Sequence, residues 1–252
     1  MGTAEVFQGS LANQIKAMSP AYTYLLVNAG CIVVPLLFSF HSKLKFYEEW
    51  GNFLLPCLLV GAFFLAWDIL FTSWGVWHFN PEYVVGLFLW GLPIEEYLFF
   101  ICIPFACVFS YHAFITLFKF EKRNRAVSII YGGLSLILLA IAIANRHALY
   151  TFTTFLLLSG TLLYFLYRRY HFLTAFFVCF LFILIPFTIS NGILTGSFLG
   201  RVVVFYNDSE NLGIRLLTIP VEDIFYGKLL LLLNVFGFEM MRKGRQQSAD
   251  VR

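Results

Sequence analysis

The sequence predicts an all-α, polytopic membrane protein of about seven transmembrane helices, built as a parallel duplication of a three-helix unit plus a linking helix. Three observations predict it. The composition is too apolar for a soluble surface, the apolar residues gather into seven runs of bilayer-crossing length, and an acidic motif near residue 95 returns near residue 222.

Of the 252 residues, 60% are hydrophobic, 19% aromatic and only 12% charged, and the mean hydropathy is +0.80. Soluble domains carry about 25% charged residues, so this chain has too little polar material to cover a soluble body of its size. No nucleic-acid partner is expected; membrane lipid is. Residues 1–20 carry Glu5 and Lys16 and lack the basic-then-apolar order of a signal peptide. Val6 stands where a myristoylation site needs Ser or Thr. Cys31, Cys57, Cys102, Cys107 and Cys179 all lie in apolar runs without C-x-x-C spacing, which reads as buried thiols and neither a disulfide nor a metal site.

Runs of about 20 apolar residues cover 21–40, 53–71, 93–118, 126–144, 148–167, 172–190 and 221–241. The third begins earlier, at Val84, and would be too long for one span. Pro93 divides it, because proline suits the first turn of a helix and disfavours helix before it. Residues 84–92 are therefore expected to form a short re-entrant or interfacial lead-in.

Basic residues orient the chain. Lys43, Lys45, Lys119, Lys122, Arg123, Arg125, Arg168, Arg169, Arg242, Lys243, Arg245 and Arg252 fall on one side, against Lys16, Arg146, Arg201 and Arg215 on the other. The amino terminus is expected outside and the carboxyl terminus in the cytoplasm, in the cell membrane. The net charge of +3 is thus a topology signal.

Residues 80–100, "NPEYVVGLFLWGLPIEEYLFF", lie over 207–227, "NDSENLGIRLLTIPVEDIFYG". Asn80 meets Asn207, Gly86 meets Gly213, Pro93 meets Pro220, Glu95 meets Glu222 and Glu96 meets Asp223. The same shift carries span 21–40 onto 148–167, while the second span reaches the sixth only if the sixth-to-seventh loop holds an insertion. Units offset by four helices keep one orientation, giving a pseudo-two-fold along the membrane normal. The expected division is an N-terminal segment 1–20, a first repeat 21–118, a basic loop and linking helix 119–147, a second repeat 148–241 and a basic tail 242–252.

The carboxyl pairs carry the functional reading. A charged side chain at the centre of a membrane helix costs about 2.5–3.5 kcal/mol, and from Tyr83 to Phe118 Glu95 and Glu96 are the sole charges. An apolar surround and an adjacent carboxylate both favour a neutral acid, whereas a helix N-terminus favours the anion. A protonated acid facing hydrocarbon is what general-acid attack on an alkene requires. Phe99, Phe100, Phe225 and Tyr226 lie one turn on from the acids, where aromatic faces could stabilise a carbocation. Asp68 is a third buried acid, with pairing to an arginine and lining the same cavity both open to it.

Plainer readings exist for each. The glutamates could cap their own helices or pair with Arg201 or Arg215. Lys228, two turns into the seventh span, could bind retinal, but snorkelling or neutralising an acid is the commoner role. His41, His78, His112, His147 and His171 sit mostly at span ends. Gly192, Gly196 and Gly200, spaced by four, fit close helix packing or loop flexibility. No dinucleotide fingerprint or histidine-rich iron box occurs, and "NDSEN" at 207–211 lacks the paired aspartates of metal-dependent membrane prenyltransferases. Neither a redox cofactor nor a metal is expected.

The duplicated "PIEEYLFF" and "PVEDIFYG" resemble the paired P-x-E-[ED] signatures of the small, flavin-independent integral-membrane lycopene cyclases, in their fused form, over about 21–241. The resemblance implies a linear polyene substrate such as lycopene, cyclised by proton transfer without net redox change. It implies acid or base roles for Glu95, Glu96, Glu222 and Asp223, with Asp68 a weaker carry-over and Phe99, Phe100, Phe225 and Tyr226 as substrate neighbours. Where Tyr97 becomes Ile224 and Phe100 becomes Gly227, the second repeat departs from the first. A non-catalytic retinal- or carotenoid-binding protein and a membrane prenyltransferase are the alternatives.

Overall fold

The computed structural model describes residues 20–120, 124–198, 200 and 202–250. Residues 1–19, Lys122, Arg123, Arg201 and Arg252, with the sidedness and pairing roles expected of them, lie outside the described residues.

Seven α-helices follow the seven apolar runs: α1 (Thr23–Phe38), α2 (Trp50–Ser73), α3 (Ile94–Leu117), α4 (Arg125–Ala144), α5 (Leu149–Tyr167), α6 (Phe172–Thr195) and α7 (Val221–Asp250). Six are long and apolar enough to cross a membrane, while α1 has 16 residues, about 24 Å at 1.5 Å per residue. Leu26, Leu37, Leu59, Ile129 and Ile185 point outward from their helices, as suits lipid-facing flanks. Pro35, Pro56, Pro104 and Pro186 sit inside helices, a placement that membrane helices accommodate.

Within the first unit α3 packs on α1 and α2; within the second, α7 packs on α5 and α6. Across the molecule α2 meets α7 and α6 meets α3, and α4 rides mainly on α5. Each of these pairings within the first unit thus has its mate in the second.

The outer loops carry the same symmetry at the level of single hydrogen bonds. Strands β1 (Trp77–Phe79) and β4 (Val204–Tyr206) pair antiparallel, with His78 opposite Phe205 at the centre; these two are repeat equivalents, and their rings stack at 4.9 Å. Asn80 N–H donates to the Val203 carbonyl at 2.8 Å and Asn207 N–H to the Val76 carbonyl at 2.9 Å. The pseudo-two-fold axis runs through this ribbon. Because the ribbon joins the α2–α3 and α6–α7 loops, both loops lie on one face of the molecule.

Residues 84–92, expected as a re-entrant or interfacial lead-in, turn back as a hairpin of β2 (Phe88–Leu89) and β3 (Leu92–Pro93). Trp90 and Gly91 form its turn with φ of +48° and +82°, the sign pattern of a type I′ turn. The second unit repeats it as β5 (Arg215–Leu216) and β6 (Ile219–Pro220), with Leu217 at φ +59°. Both hairpins deliver a proline to the start of a helix. Residues 74–76 join α2 to β1, whereas 196–203 join α6 to β4, which is the insertion the repeat required. Gly196, at φ +102°, ends α6, and Ser197 N–H donates to the Gly192 carbonyl at 2.7 Å, so the glycine spacing there marks a helix terminus.

Candidate active site

The hairpins decide where each carboxyl points. Glu95 turns back under its hairpin and accepts the Val85 N–H at 2.6 Å; Glu222 accepts the Leu212 N–H at 2.8 Å and the Thr151 hydroxyl at 2.6 Å. Both are fully buried. Each therefore caps loop backbone and not the first-turn N–H groups of its own helix. Arg215, a proposed partner for the glutamates, pairs with Asp208 instead.

One residue further along each helix, about 100° around its axis, Glu96 and Asp223 face inward. Tyr24 donates its hydroxyl to Glu96 Oε2, and Asp68 of α2 lies beside Glu96 in the same cavity wall. Tyr226 donates to Asp68 Oδ1 at 2.7 Å. Asp223 receives three donors: the Tyr150 hydroxyl at 2.5 Å, the Tyr206 hydroxyl at 2.9 Å and the Asn191 amide at 2.8 Å. Tyr24 and Tyr150 hold equivalent places in the two units. Against Asp223, Asn191 takes the place that Asp68 takes against Glu96.

These groups lie at one end of an apolar cavity of about 730 Å³, lined by Asp68, Glu96 and Asp223 but by neither Glu95 nor Glu222. Phe99 and Tyr226 line it too, as does Trp77 of the ribbon. Phe100 and Phe225, expected beside the substrate, point elsewhere. Phe100 packs on Phe64 at 6.1 Å, and Phe225 packs edge-on against Phe155 at 5.0 Å. Of the five expected substrate neighbours, Asp68, Phe99 and Tyr226 reach the cavity.

Sequence reasoning missed Tyr24, Tyr150, Tyr206 and Asn191. The tyrosines were hidden among the chain's 13, and their mark was position alone: Tyr24 and Tyr150 stand near the start of corresponding spans. Lys228 does not enter the cavity lining; its ammonium sits over the rings of Phe180 at 4.2 Å and Tyr131 at 5.1 Å, a cation–π clamp tying α7 to α6 and α4. In "NDSEN", Asp208 holds Arg215 and Glu210 accepts the Leu149 N–H at 2.9 Å, capping α5. Among the described residues no group of three or more His, Cys, Asp and Glu side chains is placed to hold a metal ion. The five cysteines are free.

Fold and site together define an integral membrane protein in which a cluster of carboxyl and phenol groups closes one end of an apolar chamber. The lycopene cyclase family model matches residues 21–114 and 147–241, and the chain belongs to that family. The two matched regions are the two halves of the internal repeat. Membership supports a carotenoid cyclase function and a carotenoid substrate. No curated protein and no solved structure matches the chain significantly.

Proposed function

We propose that this chain closes the six-membered end ring of a linear polyene such as lycopene by proton transfer, forming a β-type ring with no net redox change. The observation that supports this most is the meeting of Asp68, Glu96 and Asp223 at one end of an apolar chamber, with phenol donors on all three. We take Asp68 and Glu96 to carry one transferable proton between them, since only a protonated carboxyl can donate.

In this reading the Glu96–Asp68 pair delivers that proton to the terminal double bond of the polyene, forming a C–H bond and a tertiary cation. The neighbouring double bond attacks the cation, making the ring C–C bond and moving the positive charge into the ring. A base then takes a proton from the adjacent carbon, and its electron pair becomes the ring double bond. Asp223 suits the base role, because three donors already organise it as an acceptor. Phe99, Trp77 and Tyr226 turn aromatic surface toward the passing cation. One proton enters and one leaves, so the reaction is an isomerisation. Glu95 and Glu222 act as positioning residues that hold the hairpins over the site.

The remaining assignments belong to the same proposal. The units span 21–118 and 148–241, joined through 119–147. The protein sits in the cell membrane with its amino terminus outside.

Turnover of lycopene in deuterated water tests the mechanism. Deuterium is expected in the new ring, because the added proton stays on a carbon other than the one that is deprotonated. A cyclised product without solvent deuterium would contradict a solvent-replenished acid, and absence of any ring product in a lycopene-accumulating host would remove the cyclase reading.

A further inference from the structure

A parallel duplication sets two equivalent grooves around its axis, one flanked by α1 and α6 and the other by α5 and α2. They are built differently. In the first, Gly30 and Val34 of α1 and Ile183 and Pro186 of α6 line the cavity. On the other side α2 presents Phe64, Trp67 and Phe71, which are 0%, 7% and 3% exposed. Phe64 and Trp67 pack on Tyr226 at 5.0 and 5.2 Å, and Phe71 packs on Trp77 at 5.0 Å. Packed aromatics thus occupy the face that lines a chamber in the other half. The step from Tyr24 to Tyr150 carries Gly30 to Leu156, so α5 also has a bulky side chain where α1 has none.

Glu96, Asp68 and Asp223 all open to the first groove. Along α3 that groove runs from Glu96 to Ser110, about 21 Å at 1.5 Å per residue. The β1–β4 ribbon, with Trp77, Phe79, Val204 and Tyr206, lines its acid end. Its flank is rimmed by Leu26 and Ile189, which are 64% and 52% exposed. A linear polyene entering through that flank brings one end to the acids and leaves its other end far from them.

We propose that the fused chain has one working groove and cyclises one end of its substrate per binding event, so that a two-ringed product requires release and re-entry in the reverse direction. The inference rests on the cyclase reading above. Before each ring, an uncyclised end must be presented anew.

A chase experiment tests it with the full chain in lipid nanodiscs. Isotopically labelled lycopene is bound, one round of ring closure is allowed, and excess unlabelled lycopene is added. The expected result is labelled one-ring product with loss of labelled two-ring product relative to the unchased sample; one-ring product alone, even without the chase, also agrees. Labelled two-ring product undiminished by the chase would overturn the proposal, whereas no ring at all would strike the cyclase reading instead.

A pair of variants reads the asymmetry directly. A Cβ at Gly30 meets nothing within 4 Å, so Gly30→Phe enters the groove without a backbone clash and is expected to lower ring formation about a hundredfold through misplaced substrate. Val34→Phe narrows the same rim should the first variant accumulate poorly. Leu156→Phe, at the equivalent place on α5, is expected to leave activity unchanged. Equal losses on both sides would show two working grooves.

Discussion

Glu95 and Glu96 are chemically identical neighbours with different surroundings, because successive helix residues point about 100° apart. Glu95 accepts the part-buried loop N–H of Val85, and an intramolecular hydrogen bond contributes about 0.5–1.5 kcal/mol net. Glu96 faces the chamber beside Asp68 and is the proton donor of the proposed reaction. Glu96→Gln is therefore expected to reduce ring formation by about 10²–10⁴-fold, the usual worth of a general acid, with the melting temperature of the detergent-solubilised protein little changed. Glu95→Gln keeps an acceptor for Val85 and is expected to lose much less activity; Glu95→Ala should instead lower the melting temperature. If Glu95→Gln were as inactive as Glu96→Gln while equally stable, Glu95 would belong to the chemistry. The two halves are also unequal at residue scale. Tyr206 and Tyr226 stand where the first unit has Phe79 and Phe99, so both extra phenols come from the second unit. One serves its own Asp223, and the other reaches across to Asp68.

At the scale of elements, the two hairpins are the devices that aim the acids. Each ends on the proline that starts its helix, and Ile94 and Val221 donate their N–H groups to Leu87 and Ile214 at 2.9 Å, fixing the helix starts against the loops. Tyr97 adds a hydroxyl bond to the Leu89 carbonyl at 2.9 Å, a contact that Ile224 does not reproduce. Leu217 holds a left-handed backbone conformation without being glycine, which costs an L-residue roughly 1–2 kcal/mol. Leu217→Gly is expected to relieve part of that strain and stabilise the protein by about 0.5–1 kcal/mol after the entropy penalty of glycine. A thermal-shift measurement checks the sign: an unchanged or lower melting temperature would mean that the side chain's packing outweighs the backbone strain.

For the whole molecule, duplication explains why the acids of both halves meet. The axis passes through the His78–Phe205 pair, and the helix starts carrying Glu96 and Asp223 converge beneath it. One consequence is topological. Tags in 119–125 and at the carboxyl terminus are expected to report the cytoplasm, and a tag in 72–83 the outside. Finding 119–125 and 72–83 on the same side would be incompatible with α3 crossing the membrane between them.

The spans, the duplication and the acidic motifs were legible in the sequence because each is local or periodic. A run of apolar residues reads as a span wherever its neighbours lie, and P-x-E-[ED] recurs at a constant offset whatever the packing. The insertion before β4 was legible for the same reason, as a break in that offset. Which carboxyl of each pair faces the chamber was not legible, since that depends on the rotation each hairpin imposes on its helix. Tyr24, Tyr150, Tyr206 and Asn191 were beyond reach too, because they come from α1, α5, the ribbon and α6, and their meeting is a property of packing across long sequence separations. Asp68 shows the boundary most clearly. Its sequence marked it as a buried acid needing a partner, and only the contact of α2 with α3 and α7 decided that the partners are Glu96 and Tyr226 and not an arginine, because low-dielectric burial leaves a carboxyl no solvent and makes its nearest polar neighbours decide its role.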